Sequence, residues 1–363
     1  MKWPISNPKP DFSRLEKTLL REGEPDRVPF VEFVVDCEVM EVLLGEKVLR
    51  PEAGNREEEK HYIDQQIRFF YLYGYDYVPL RVDPVMPRKR AKAKDTARLS
   101  RSERGWVDQS VSLIANWEEF EAYPWPEPGK IDYSSFEYAA RKLPSGMKIT
   151  PRCSGVLEWS MWLMGYENFA YALVDDPKLI ETVVNKIGNH LWHIYQNLID
   201  MEKVGALWIS DDMGHKTGTL ISPDHLRQYV LPWHKKIADT IHSKDLPVIL
   251  HSCGNLKSIM NDLINDVRID AKHSYEDTFL TASEAKKKYG EKICILGGVD
   301  VDVLTRAEED EFRKYVRRII RECGPGGGYC LGSGNSITNY VKVENYLAML
   351  EEGLGYGKYP IGS

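Results

Sequence analysis

His251 and Cys253, one residue apart in PVILHSCGN, are the strongest chemistry-bearing pair in the chain. Side chains alternate along an extended strand, so residues i and i+2 leave on the same side. Imidazole nitrogen and thiolate sulfur are both good zinc ligands, and a catalytic zinc takes three protein ligands and keeps one position open. Glu276, at the tip of the next expected strand, is placed to supply the third. The same pair also reads as a packed histidine beside an ordinary buried cysteine, because H-x-C alone is a short motif.

Other polar residues fall at comparable positions. Asp83, Asp211-Asp212, His273-Ser274, Asp300, and Ser333 with Asn335 each follow an apolar run. If those runs are parallel strands, carboxylates, imidazole and thiol converge on one edge. Each has a plainer reading: the aspartates as turn caps, His273 as a core histidine donating to a backbone carbonyl. The stretch WSMWLMGY, with Trp159, Trp162 and Met164, reads either as core or as a mouth lining suited to a large flat macrocycle.

The elements that must position these groups are legible as alternation. Val28 to Val35, Tyr75 to Val82, Met147 to Pro151, Ala206 to Ser210, Pro247 to His251, Ile269 to Ser274, Ile293 to Gly298 and Gly327 to Gly332 are short apolar runs bounded by Gly, Pro and Asp. Such runs are typical of strands covered on both faces. Between them, Leu179, Val183, Ile187, Leu191, Ile194 and Leu198 keep helical spacing, and Ser222-Pro223-Asp224 is a good helix start. A third helix is expected near Ala307 to Glu322. This pattern predicts an α/β fold of the (β/α)8 TIM-barrel type, with chemistry at the C-terminal strand ends. No GxGxxG marks a dinucleotide-binding sheet. Residues 87–144 break the alternation and are expected to form an insertion after strand two, a hairpin and loop at the mouth of a single domain spanning 1–363.

Composition narrows the partners. Net charge is −7, which argues against nucleic acid, whose binding needs a basic surface. One basic cluster, Pro87 to Arg101, reads as a solvated hairpin or as a patch for an acidic substrate or partner. No run approaches the roughly twenty apolar residues that span a bilayer, and the N-terminus lacks a signal-peptide core, so a cytoplasmic protein is expected. Six scattered cysteines do not make a disulfide framework and are expected as free thiols, small core residues or metal ligands. Nothing in the pattern sets an oligomeric state.

EPDRVPF, GYDYVPLRVD, DDMG, HSCGN, SYED, ILGGVD and GGGYCLGSGN occur in the order seen in the uroporphyrinogen decarboxylase superfamily, which the chain resembles over nearly its whole length. The resemblance implies a (β/α)8 barrel with its cleft at the C-terminal mouth. In the decarboxylase branch an Arg-rich motif follows the first strand and an Asp follows the second. Asp83 matches that Asp, but this sequence has Asp36, Glu38 and Glu41 after strand one and no Arg. An acidic tetrapyrrole is therefore expected to meet acid there.

The chain resembles more closely the methylcobamide methyltransferases, which use H-x-C, a carboxylate and a later Cys to bind zinc. The resemblance implies metal ligation by His251, Cys253 and Glu276. It places Asn335 where the last thiolate belongs, with Cys330 as a displaced candidate. The function it implies is zinc-dependent transfer of a methyl group between a corrinoid, free or on a corrinoid protein, and a small acceptor or donor such as a methoxylated or methylamine-like compound. Asp83, Asp212, His273 and Asn335 would then orient substrates. The alternatives are a metal-free decarboxylase centred on Asp83 and a non-catalytic corrinoid or tetrapyrrole binder.

Overall fold

The computed structural model describes residues 3–52, 54–128 and 130–362. Its centre is a curled, fully parallel seven-stranded sheet in the order β1 (Tyr77–Arg81), β4 (Lys148–Ser154), β5 (Leu207–Ser210), β6 (Val248–His251), β7 (Ala271–His273), β8 (Cys294–Leu296) and β9 (Tyr329–Cys330). The remaining two strands, β2 (Arg90–Lys94) and β3 (Glu103–Val107), form a separate antiparallel hairpin. Helices connect successive sheet strands, giving an α/β, TIM-like architecture. These strands are buried along almost their whole length, as parallel strands under helices on one face and packed side chains on the other must be.

Val28 to Val35, expected as the first strand, is not a regular strand. It runs parallel to the last one through isolated bridges, Phe30 to Leu331 and Val35 to Ile337. Toward β1 a side chain replaces the ladder. The Glu32 N–H donates to the Tyr77 hydroxyl at 2.8 Å, and that hydroxyl donates to the Glu32 carbonyl at 2.7 Å. One buried phenol thus satisfies both backbone groups that a strand pairing would have used.

The expected insertion over 87–144 is not one appended block. The hairpin occupies 90–107, whereas the helix Ser134–Lys142 packs on the helix Arg56–Leu72 and on β4, as the crossover helix of the β1–β4 unit does. The basic cluster is tied down. Arg101 reaches Glu41 at 2.6 Å and Glu38 at 3.8 Å, Arg104 reaches Asp36 at 3.1 Å, and Arg98 reaches Glu344 at 3.2 Å. The acids expected to repel an anionic substrate are therefore neutralised by arginines of the hairpin.

The long helix runs Pro177–Leu198, started by the Asp176 side chain accepting from Leu179 N–H. After Ser222 the expected single helix is interrupted. A π turn, Leu226–Val230, precedes the helix Leu231–His242. Pro232 has no N–H to close an ordinary turn, and the wider turn just before it absorbs that loss.

At the N-terminal edge of the sheet lies an ion-paired network. Arg14 donates to Asp26 at 2.5 and 2.9 Å and to Asp76 at 2.6 Å. Asp76 also accepts from Asp11 N–H and lies 3.6 Å from Arg27. Among the described residues no helix is long and apolar enough to cross a membrane.

Candidate active site

In-register pairing sets the site's first layer. Ser210, His251 and His273 are direct neighbours across β5, β6 and β7 at their C-terminal ends. Equivalent positions on adjacent parallel strands share a face, so the two imidazoles meet inside the curl, with Nδ1 to Nδ1 at 2.8 Å. The other nitrogen of His273 faces the Ser333 carbonyl at 3.1 Å.

That carbonyl fixes the protons. A carbonyl only accepts, so His273 carries its hydrogen on Nε2 and its lone pair on Nδ1. His251 must then donate from Nδ1, leaving a lone pair on its Nε2. Both rings are held neutral: burial and Lys272 draw His273 down to about 3, and burial, then His273, pulls His251 well below its ordinary value. Phe33 stacks on the His251 ring at 3.8 Å between centroids, which locks its plane. Gly297, with φ +75°, permits the approach, since a Cβ there would sit 2.2 Å from the Ser333 oxygen.

The free Nε2 points at two further donors. Cys253 Sγ lies 3.6 Å away and Asp212 Oδ1 3.7 Å away. Asp212, His251 and Cys253 are the group of potential metal ligands found among the described residues, with their ligand atoms all within 4.8 Å of one another. Around a tetrahedral zinc, with Zn–N near 2.0 Å and Zn–S near 2.3 Å, the N–S separation is roughly 3.6 Å. The set therefore fits the metal in spacing, in donor type and in the orientation of its lone pair. Burial, then the neighbouring Asp212, pushes the Cys253 thiol well above its ordinary value, and burial raises Asp212 as well. A nearby cation would relieve both.

The loops that carry these ligands are pressed together. The Cys253 N–H donates to Asp212 Oδ1 at 2.8 Å, and the Asn255 N–H to the His215 carbonyl at 2.8 Å. Gly214 and Gly254 face each other across this contact. A Cβ on Gly254, whose φ is +80°, would fall 2.2 Å from the Gly214 carbonyl carbon. The glycines of DDMG and HSCG are thus there for backbone approach. Asp211 serves structure instead: it accepts from Leu157 and Glu158 N–H at the start of the helix Val156–Met164, and it bonds His234 at 2.8 Å. It caps a helix from the preceding unit, not its own following turn.

The other expected site residues divide. Asn335 joins the cluster as a donor, its Nδ2 3.2 Å from Cys253 Sγ, with Ser274 Oγ at 3.5 Å. Among the described residues the carboxylate grouped with His251 and Cys253 is Asp212, while Glu276, expected there, stands half-buried outside the group. Cys330 is fully buried in β9 among Cys294 and Asp76, away from the ligands, so it does not replace the missing thiolate. Asp83 does not reach the cluster either. Its carboxylate accepts from Arg81 at 2.6 Å and from Ser154 N–H at 3.0 Å. Trp159 and Met164 are fully buried and present no face to a ligand, whereas Trp162 lines the cavity over the cluster. All six cysteines are free thiols.

That cavity holds about 220 Å³ and brings in residues the sequence did not single out, Glu158, Arg81 and Arg152. Burial, then Asp212 and Asp211, pushes Glu158 well above its ordinary carboxylate value. Lys272 is buried beneath the cluster. Its ammonium donates to the carbonyls of Ser252, His273 and Ser274, and burial draws it down to about 8. A lysine inside the apolar run IDAKHS was the available signal for it, as were the arginines inside YVPLRV and KITPRCS.

The model of the family described as uroporphyrinogen decarboxylase (URO-D) matches residues 106–353, more than half of the chain. The uroporphyrinogen decarboxylase of Actinobacillus succinogenes is 28% identical over 176 residues, 47% of this chain and 46% of that protein. That of Mannheimia succiniciproducens is 28% identical over 173 residues, with 47% and 46% covered. The chain thus spans about half the length of the curated relatives it matches. Among solved structures, a methyltransferase from Methanosarcina mazei shares the fold with TM-score 0.69, covering 95% of this chain and 98% of its own at 17% identity.

Proposed function

The chain belongs to the uroporphyrinogen decarboxylase family, and from that premise we propose that it is a zinc-dependent, corrinoid-linked methyltransferase acting between a methylcobamide and a small acceptor or donor. The observation that carries this reading is the set Asp212, His251 and Cys253, with the His251 lone pair aimed between the other two. A decarboxylase working without metal has no use for such a donor set.

Asp212, His251 and Cys253 would hold the metal, leaving a position open to the cavity. Zinc bound there would lower the pKa of a thiol or similar acceptor and hold it as the nucleophilic anion. The chain's own groups do the rest. His273 keeps His251 in the tautomer that ligates, as outer partners of metal-bound histidines do. Asn335 and Ser274 donate to the Cys253 sulfur and spread its negative charge. Lys272 clamps the strand-end carbonyls and so fixes the loops bearing the ligands. Glu158 lines the same cavity, where Arg81 and Arg152 provide positive charge.

Losing the second thiolate of the expected family pattern makes the site harder, and a carboxylate ligand suits an oxygen-bearing substrate as well as a thiol. Corrinoid, free or protein-bound, would approach from the open C-terminal side.

Metal analysis by mass spectrometry on protein purified without an affinity metal tests the reading. Near-stoichiometric zinc is expected, falling below about a tenth in His251→Ala and Cys253→Ala. Wild-type protein that stays zinc-free after supplementation would sink it.

A further inference from the structure

A second cavity of about 340 Å³ adjoins the first and shares with it Phe33, Arg81 and Arg152. Its far wall is apolar, built by Phe70, Ile63 and Phe136. Three guanidiniums from separate elements reach it: Arg81 at the end of β1, Arg152 within β4, and Arg50 from the loop before the helix Arg56–Leu72.

Their charges are not balanced alike. Arg81 pairs with Asp83 at 2.6 Å, and Arg50 lies 3.9 Å from Asp36. Arg152 has no carboxylate partner among the described residues, and its Nε is buried without a hydrogen-bond partner. Its guanidinium instead lies 4.9 Å over the Phe33 ring. Burial and the neighbouring Arg81 draw Arg152 down to about 9. Arginine nonetheless keeps its proton, so the site is short of an anion. Glu59 is the one acid on the cavity wall, against three arginines.

We propose that this cavity binds a small organic carboxylate, its anion held by Arg152 at the wall shared with the cluster cavity and by Arg50 from the loop before the helix Arg56–Leu72, and its apolar, ring-sized body packed against Phe70, Ile63 and Phe136. A planar guanidinium with open donors matches a carboxylate in a bidentate fork. Phe33 forms the partition: it underlies Arg152 on one side and stacks on His251 on the other. A ligand gripped here lies beside the cluster, while a methylamine-like cation would be repelled. As a substrate assignment this deepens, and rests on, the methyl-transfer reading. As a binding site it rests on the cavity alone.

Calorimetric titration of the full chain with benzoate, methyl benzoate and benzylamine separates charge from shape. Benzoate should bind, and its uncharged ester and the amine should bind at least about tenfold more weakly. Arg152→Met should weaken benzoate to a similar extent, and Arg50→Met, at a largely exposed side chain, should weaken it less. Benzoate binding no better than its ester, or equally well to Arg152→Met, would overturn the proposal. Zinc content measured on the same samples keeps the two readings apart. Arginine-dependent benzoate binding on zinc-free protein retains the site and removes the methyl-transfer assignment. Zinc without benzoate selectivity does the reverse.

Discussion

The two edges of the sheet hold the same kind of group in opposite states. At the N-terminal edge, Arg14 is closed in by Asp26 and Asp76, each carboxylate oxygen that it faces lying 2.9 Å away or less. At the C-terminal edge, Arg152 sits over a phenylalanine ring with a buried, unpartnered Nε and, among the described residues, no carboxylate within ion-pairing distance. A buried charge is costly unless it is paired, so the ion-paired cluster is expected to hold the fold, whereas Arg152 is the group proposed to meet a ligand. The difference separates structural from functional charge within one chain.

The largest effect should come from breaking the closed edge. Arg14→Met leaves Asp76 buried against a weaker partner, Arg27 at 3.6 Å. Denaturant unfolding should show a loss of about 3–5 kcal/mol. A loss under about 1 kcal/mol would mean that this network is not what closes the floor. Next in size is His273→Phe, which keeps the ring volume and removes the nitrogens that set the His251 tautomer. Zinc affinity, read by competition with a chromophoric chelator, should fall about 10–100-fold with little change in unfolding midpoint. An unchanged affinity would show that the relay is packing only. The smallest expected change is the stability of Arg152→Met, within about 0.5 kcal/mol of wild type or slightly above it. A clear destabilisation would erase the contrast between the edges by showing that Arg152 also holds the fold.

Much of this was readable in the residues. His251 and Cys253 belong together because a strand tip puts i and i+2 on one side. Asp212 and His273 appear at neighbouring strand ends for the same reason. Distance across the mouth was not readable. Whether Asp212 or Glu276 approaches Cys253 depends on loops locked by Gly214 and Gly254, a contact between segments about forty residues apart. Cys330 and Asn335 differ only in how far along the last strand they lie, and the structure puts the thiol in the core and the amide on the sulfur. Arg152 was invisible because a charged residue inside a strand signals nothing until its direction is known. The same ignorance of direction made Trp159 and Met164 look like a ligand platform. The first strand failed for a different reason, since Tyr77 replaces its ladder with a single hydroxyl.

The carbonyl of Ser333 has one more consequence, for the order in which the molecule can be finished. It belongs to the end of the chain, beyond β9, as does Asn335, yet it decides where the proton sits on His251, some eighty residues earlier. Until that last segment docks, His251 is free to carry its hydrogen on either nitrogen, and Cys253 lacks its amide donor. A growing or C-terminally shortened chain therefore has Asp212, His251 and Cys253 but not a matched site, and under the proposed function metal capture would double as a check that the sheet has been completed.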